Sequence, residues 1–206
     1  MAHYKVLKSN NDLFVIQINP QAYDFSMFSG KPATNALLAF DINFSWLGLA
    51  IGYVRSDSSN WLVTLGEKKD IRPCLCIRSD GFSLIKRFTQ QSLKVNDYKL
   101  IAQAGPTLVW DSKDVSWETA QQEEFREDVT RNTDHVAVGC TEMGKLIAFF
   151  GKKVTMTQIA KIMISAGCKT AMNCDGGSRC FLSFGLGRER IKLGVASGCK
   201  AGIQFI

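Results

Sequence analysis

The sequence predicts an α+β fold, mainly antiparallel β-sheet with two or three packed helices, in a single domain covering residues 1–206. Three observations carry that prediction. Apolar segments of strand length recur along most of the chain. Turn signals such as Asp80-Gly81 and Met143-Gly144-Lys145 separate them, so hairpins rather than crossover helices dominate the middle. Helical spacing is confined to 118–129 and 155–166.

The bulk properties set the class. A chain of 206 residues, 46% hydrophobic and 21% charged, is long enough for one buried core and has the composition of an ordinary soluble globular protein. No apolar run reaches the length needed to span a bilayer, so no membrane partner is expected. The first ten residues lack an apolar signal core, and the seven cysteines are an odd number without metal-site or disulfide spacing. A reducing, cytoplasmic location with free buried thiols is therefore expected. Cys74-Leu75-Cys76 puts two of those thiols on one face of a strand. The net charge of +6 suits a small anionic ligand. It would also suit nucleic acid, but no basic stripe with interleaved aromatics accompanies it, which argues against that partner.

The elements follow in order. Residues 13–18 form a strand that stops at Asn19-Pro20, and 23–28 form a second. Residues 36–46 read as a buried strand with Asp41 and Asn43 two apart on one face. Buried, such a pair needs partners, as catalytic or ligand-binding groups have; at a strand end, water would serve. Strands are expected at 50–54, 61–65, 72–78, 82–86 and 98–103. Gly105-Pro106 then breaks the chain, because proline fits only an edge, a bulge or a strand start. Residues 118–129 are expected to form a solvated helix whose acidic cluster, Glu123, Glu124, Glu127 and Asp128, faces water. A hairpin follows from 135–140 and 146–150, and closing strands from 181–184, 191–195 and 202–206. Gly185-Leu186-Gly187 lacks the strand-loop-helix context of a dinucleotide loop.

The most informative stretch is 155–184. Thr155 caps a helix, with Gln158 three residues on to complete a capping box. Ile159, Ile162, Met163 and Ala166 form its buried stripe, and Gly167 fits the left-handed position that ends it. Residues 170–174 are too short for a helix and read as a buried strand, running directly into Asp175-Gly176-Gly177-Ser178-Arg179. Asp-Gly pairs punctuate many simple turns. A carboxylate at a strand end beside freely bending backbone also suits a reactive group.

The order of these parts resembles the closing motif of the phosphodiester glycosidase family. In that family a helix ending in Leu-Gly-Cys leads to an Asn-Leu-Asp-Gly-Gly-Ser turn; this chain has Ala166-Gly167-Cys168 and Asn173-Cys174-Asp175-Gly176-Gly177-Ser178. Gln103-Ala104-Gly105-Pro106-Thr107-Leu108-Val109 is similar to the family's Gln-Ala-Gly-Pro-Leu-Leu-Val segment. Asn43 matches the asparagine of its Ala-Ile-Asn-Gly-Gly-Phe-Phe segment, but Phe44-Ser45 replaces the two glycines. His135-Val136 stands where the family has Arg-Thr.

The resemblance implies a hydrolase that cleaves a sugar- or nucleotide-linked phosphodiester to a phosphomonoester and a free sugar. Most glycosidases use two carboxyl groups in different environments. Asp175 is the candidate for one and Asp41 for the other, although the resemblance gives Asp41 no role. Gly176, Gly177 and Ser178 would offer N–H and hydroxyl donors to phosphate, and Arg179 a charge. Asn43 and Asn173 would orient the ligand, Gln103 would reach it, and His135 would be a general acid or a substitute phosphate contact. An arginine clamps phosphate through two bonds where a histidine gives at most one charged donor. The sequence requires no cofactor and leaves a divalent metal open. The departures at His135 and Phe44-Ser45 leave a second reading, a binding protein of the same fold that sequesters a phosphorylated sugar or nucleotide. A third, a structural or interaction domain, would have no polar pocket joining Asp175, Asn43 and His135.

Overall fold

A computed structural model describes residues 4–42, 45–46, 49–50, 52–56, 59–63, 72–88, 97–125, 127–178, 180–195, 199 and 201–206. The strands are β1 (Tyr4–Asn10), β2 (Leu13–Ile18), β3 (Phe25–Phe28), β4 (Leu38–Asp41), β5 (Ser45–Trp46), β6 (Leu49–Ala50), β7 (Gly52–Ser56) and β8 (Ser59–Val63). They continue with β9 (Arg72–Ile77), β10 (Ser83–Phe88), β11 (Leu100–Gln103), β12 (Thr107–Trp110) and β13 (Lys113–Asp114). After helices α1 (Ser116–Gln122) and α2 (Glu127–Thr130) come β14 (Thr133–Cys140), β15 (Leu146–Val154), helix α3 (Met156–Ser165) and β16 (Thr170–Gly176). The last three strands are β17 (Phe181–Phe184), β18 (Ile191–Gly194) and β19 (Gly202–Phe205).

Three larger sheets organise the chain, and every strand pair among the described residues is antiparallel. One sheet runs β1-β2-β15-β14-β16-β12-β13, a second β10-β9-β11-β7-β8, and a third β18-β17-β4-β19-β3. Their inner faces share one apolar core. It joins Ile16, Val138 and Phe150 of the first sheet to Leu75 and Leu100 of the second and Phe40, Leu182 and Ile203 of the third. Side chains alternate across a strand, so the first sheet has a second apolar face. That outer face, with Val15, Ala137, Ile147, Phe149 and Ala171, takes Met156, Ile159, Ala160 and Met163 of α3.

The helix is bounded as its residues require. Thr155 Oγ1 accepts from the Gln158 N–H while Gln158 Oε1 accepts from the Thr155 N–H, which satisfies two donors that the helix itself leaves unpaired. Gly167, at φ 91°, makes the left-handed exit.

Several expectations change at their boundaries. Residues 4–10, to which the sequence assigns no element, form β1 by pairing with β2. The expected helix over 118–129 is two, because Glu124 takes a positive φ of 54° that a helix cannot carry. Glu123 is not on a solvated face: it is 2% exposed, whereas Glu124 and Glu127 are exposed as expected. All seven cysteines are buried and free, and Cys74 and Cys76 share one apolar cluster with Tyr98 and Ile101. Among the described residues no helix is long and apolar enough to cross a membrane.

Candidate active site

The site is built around the end of β16, and a bulge there decides where its side chains point. Across β14 and β16, Val138 faces Met172 and Ala137 faces Asn173, but Val136 faces Asp175 and His135 faces Gly176. Cys174 is the extra residue. Strict alternation would put Asn173 and Asp175 on one face; the inserted residue turns Asp175 to the face of Val136, in the shared core, and leaves Asn173 on the face of His135.

On the Asp175 face, the carboxyl is half-buried and its Oδ1 accepts from the Gly176 N–H at 2.8 Å. Burial pushes its pKa up to about 7, and the Gly176 hydrogen bond only partly offsets this. Asp41 ends β4 opposite Gly202 of β19 and is 1% exposed. Among the described residues neither of its oxygens has a hydrogen-bond partner of ordinary geometry. Burial, followed by the negative charge of Asp175, pushes its pKa up to about 8, and the Cys199 thiol and the Phe181 backbone lie near enough to moderate the rise. Two carboxyl groups on different sheets thus sense each other in a desolvated space. Cys174, Cys180 and Cys199 feel the same two aspartates, and burial holds all three thiols well above the ordinary thiol range.

On the other face, His135 and Asn173 have no exposed surface. His135 Nδ1 lies 3.1 Å from Asn173 Oδ1 and its Nε2 lies 3.2 Å from the Arg131 carbonyl. Burial lowers its pKa against the pull of those acceptors. Asn173 also donates through Nδ2 to the Gly105 carbonyl at 3.4 Å, and its backbone pairs with Gly105 and Pro106 at 2.8 and 2.9 Å. Asn173 therefore ties the Gly105-Pro106 segment, whose peptide bond is cis, to β14 and β16.

Behind that segment lies a residue that charge patterning misplaced. Glu123 accepts from the Thr107 N–H at 3.1 Å and from the Thr107 hydroxyl at 2.6 Å, with Arg87 at 3.3 Å. Burial raises its pKa in spite of these partners. Arg72 stacks 4.6 Å over the Phe125 ring beside it. The charge pattern of 118–129 predicts a solvated face and carries no sign that Glu123 meets a threonine at the start of β12.

The structure brings Asp41 and Asp175 into one electrostatic environment and His135 and Asn173 into another, on opposite faces of β14 and β16. Gln103 is buried at the end of β11, not a sheet-edge side chain in solvent. Gly176 and Gly177 are half-buried and, contrary to expectation, give their N–H groups to the Asp175 carboxyl and the Asp134 carbonyl, whereas Ser178 is exposed beyond Asp175. Asn43 and Arg179 lie outside the described residues, as does Phe44. Among the described residues no cluster of three or more His, Cys, Asp or Glu is arranged to hold a metal ion. An open cleft of about 510 Å³ lined by Gln21, Tyr23, Asp24, Asp80 and Lys99 contains none of the candidate residues.

The sequence model of the family described as phosphodiester glycosidase matches residues 25–189. No curated protein sequence matches the chain. Among solved structures, the catalytic domain of zebrafish N-acetylglucosamine-1-phosphodiester alpha-N-acetylglucosaminidase, auto-inhibited by its pro-peptide, superposes with a TM-score of 0.72 at 17% identity. That match covers 94% of this chain and 76% of the zebrafish one. A hypothetical protein from Synechocystis superposes with a TM-score of 0.61 at 15% identity, covering 98% of this chain and 61% of its own. At these identities the structures share the fold.

Proposed function

The chain belongs to the phosphodiester glycosidase family, and from that premise we propose that it is a hydrolase cleaving a sugar- or nucleotide-linked glycosidic phosphodiester to a phosphomonoester and a free sugar. The observation that supports this reading is the Asp41–Asp175 pair: two carboxyl groups from different sheets, both desolvated, with the charge of one raising the proton affinity of the other. Carboxyl pairs whose environments separate their proton affinities are the usual means of glycoside cleavage. Burial raises the two to about 7 and about 8, and Asp175, which is half-buried, ionises before Asp41, which is 1% exposed and meets the negative charge of Asp175. Asp175 is then the carboxylate that activates water or meets the anomeric carbon, and Asp41 keeps the proton. Between those values one group is charged and one is not, so turnover peaks there, with limbs that belong to the coupled pair. Ser178, exposed beyond Asp175, supplies a donor to the phosphate, because the N–H groups of Gly176 and Gly177 are already given to Asp175 and Asp134. The zebrafish relative is named for a sugar-1-phosphodiester, which makes that class the first substrate to try.

A chromogenic sugar phosphodiester tests the proposal, with binding measured by calorimetry alongside. Product from the native protein, falling about 100-fold or more in Asp175→Asn with binding kept, supports the hydrolase. The second reading, sequestration without turnover, is favoured by one observation. His135, standing where the family has arginine, turns both ring nitrogens to protein carbonyl oxygens. Tight binding with no product from either protein would select it.

A further inference from the structure

His135 is held at both ends of its ring. Oxygen acceptors face both nitrogens, Asn173 Oδ1 at 3.1 Å and the Arg131 carbonyl at 3.2 Å, and the ring is fully buried. The neutral ring donates to one of those oxygens through its single N–H, and swinging it toward solvent would break that bond and empty the space it fills against Gly176. The clamped ring lies against Gly176, its partner across β14 and β16. A Cβ on Gly176 would come within 2.9 Å of His135 Nδ1 and 3.0 Å of its Cε1, closer than real side chains pack. The backbone therefore approaches β14 here only because residue 176 has no side chain. That same Gly176 N–H donates to the Asp175 carboxyl at 2.8 Å. The next residue, Gly177, donates to the Asp134 carbonyl at 2.8 Å, which ties the turn to β14 just beyond the contact.

We infer that His135 is a positioning residue for Asp175: the clamped ring sets the distance between β14 and the Gly176 backbone, and the Gly176 N–H carries that constraint to the carboxyl. The side chain that would be a general acid or phosphate contact by analogy with the family's arginine instead shapes the strand end from behind. The consequence for catalysis rests on the hydrolase reading above; the structural coupling does not. The titratable groups around Asp175 are Asp41 on β4, Cys174 beside it on β16, Cys180 before β17 and Cys199 before β19, with Asp134 on β14 next to His135. The thiols stay neutral through the relevant range, so only the two aspartates interact as charges there.

Carboxyl-carbon NMR of Asp175 across pH 5–10 tests this without any need for turnover. In Gly176→Ala the new methyl and the ring cannot both fit, the N–H leaves the carboxyl, and Asp175 titrates higher by about one pH unit. His135→Ala frees Gly176 and moves Asp175 in the same direction. In the double variant the methyl enters the space the ring vacated, so the combined shift is smaller than the sum of the single shifts. An unchanged Asp175 titration in folded Gly176→Ala overturns the inference, and so does a double variant whose shift equals that sum. Should His135→Ala fail to fold, Gly176→Ala alone decides, by an upward shift or by none. A native protein that turns over no phosphodiester removes the hydrolase reading and leaves the titration result standing.

Discussion

Asp175 stands opposite Val136, although the alternation set by Asn173 and Ala137 would have turned it to the other side of the sheet. One extra residue, Cys174, makes the difference, and with it the carboxyl shares a desolvated space with Asp41. Stability, and not only activity, should register this arrangement.

Asp41→Asn tests the cost of that space. The folded pKa of about 8 lies above the unfolded value of 3.8, so folding favours the protonated form. Its contribution is fully present below about pH 4 and is lost as pH rises through 8. The variant should match the native protein near pH 4 and exceed it by roughly 2–5 kcal/mol at pH 9, read as a growing difference in thermal melting. His135, whose lowered pKa acts with the opposite sign, cancels because the two proteins are compared at the same pH. Equal melting at both pH values would mean that Asp41 is ionised and well solvated.

Glu123→Ala removes an acceptor from the Thr107 N–H and hydroxyl and the counter-charge of Arg87. Taking one partner from a buried charged cluster costs about 3–5 kcal/mol, because the others stay buried without it. The urea midpoint should fall accordingly, whereas Glu118→Ala, on the exposed side of α1, should stay within about 0.5 kcal/mol. Equal midpoints for the two variants would return Glu123 to the solvated face.

Thr155→Ala removes the half of the capping box that the Thr155 hydroxyl accepts at the start of α3 and leaves the backbone N–H of residue 155 to Gln158. Loss of such a cap costs about 1 kcal/mol. Because α3 covers the outer face of the first sheet, amides of β14 and β15 should exchange faster along with those of the helix. Faster exchange in the helix alone would mean that its packing on the sheet does not depend on its cap.

The hairpins were legible because they depend on neighbours in sequence. Asp80-Gly81 turns β9 into β10, with Gly81 at φ 79°. Met143-Gly144-Lys145 likewise turns β14 into β15. The α3 cap and its glycine exit were readable for the same reason. Of the candidate site, Asp175, Asp41, Asn173 and His135 could be named from the sequence, each within a segment expected to be a strand or to end one. Their environments were not. Alternation assigns Asn173 and Asp175 to one face, and no local signal announces the bulge that separates them. Glu123 was hidden similarly, since its burial depends on Thr107, Arg87 and Arg72, which arrive from three other strands.

The sequence by itself determined the strand-rich class, the turns and the identity of the Asp-Gly-Gly-Ser motif. These follow from periodicity, from glycine and proline conformation, and from residue order, all of which act over a few positions. Only the tertiary structure decided that Asp41 and Asp175 share a desolvated space while His135 and Asn173 lock together behind them. Proton affinity and burial are set by whatever packs alongside, and here Asp41 and Asp175 come from two different sheets while His135 and Asn173 come from paired strands 38 positions apart.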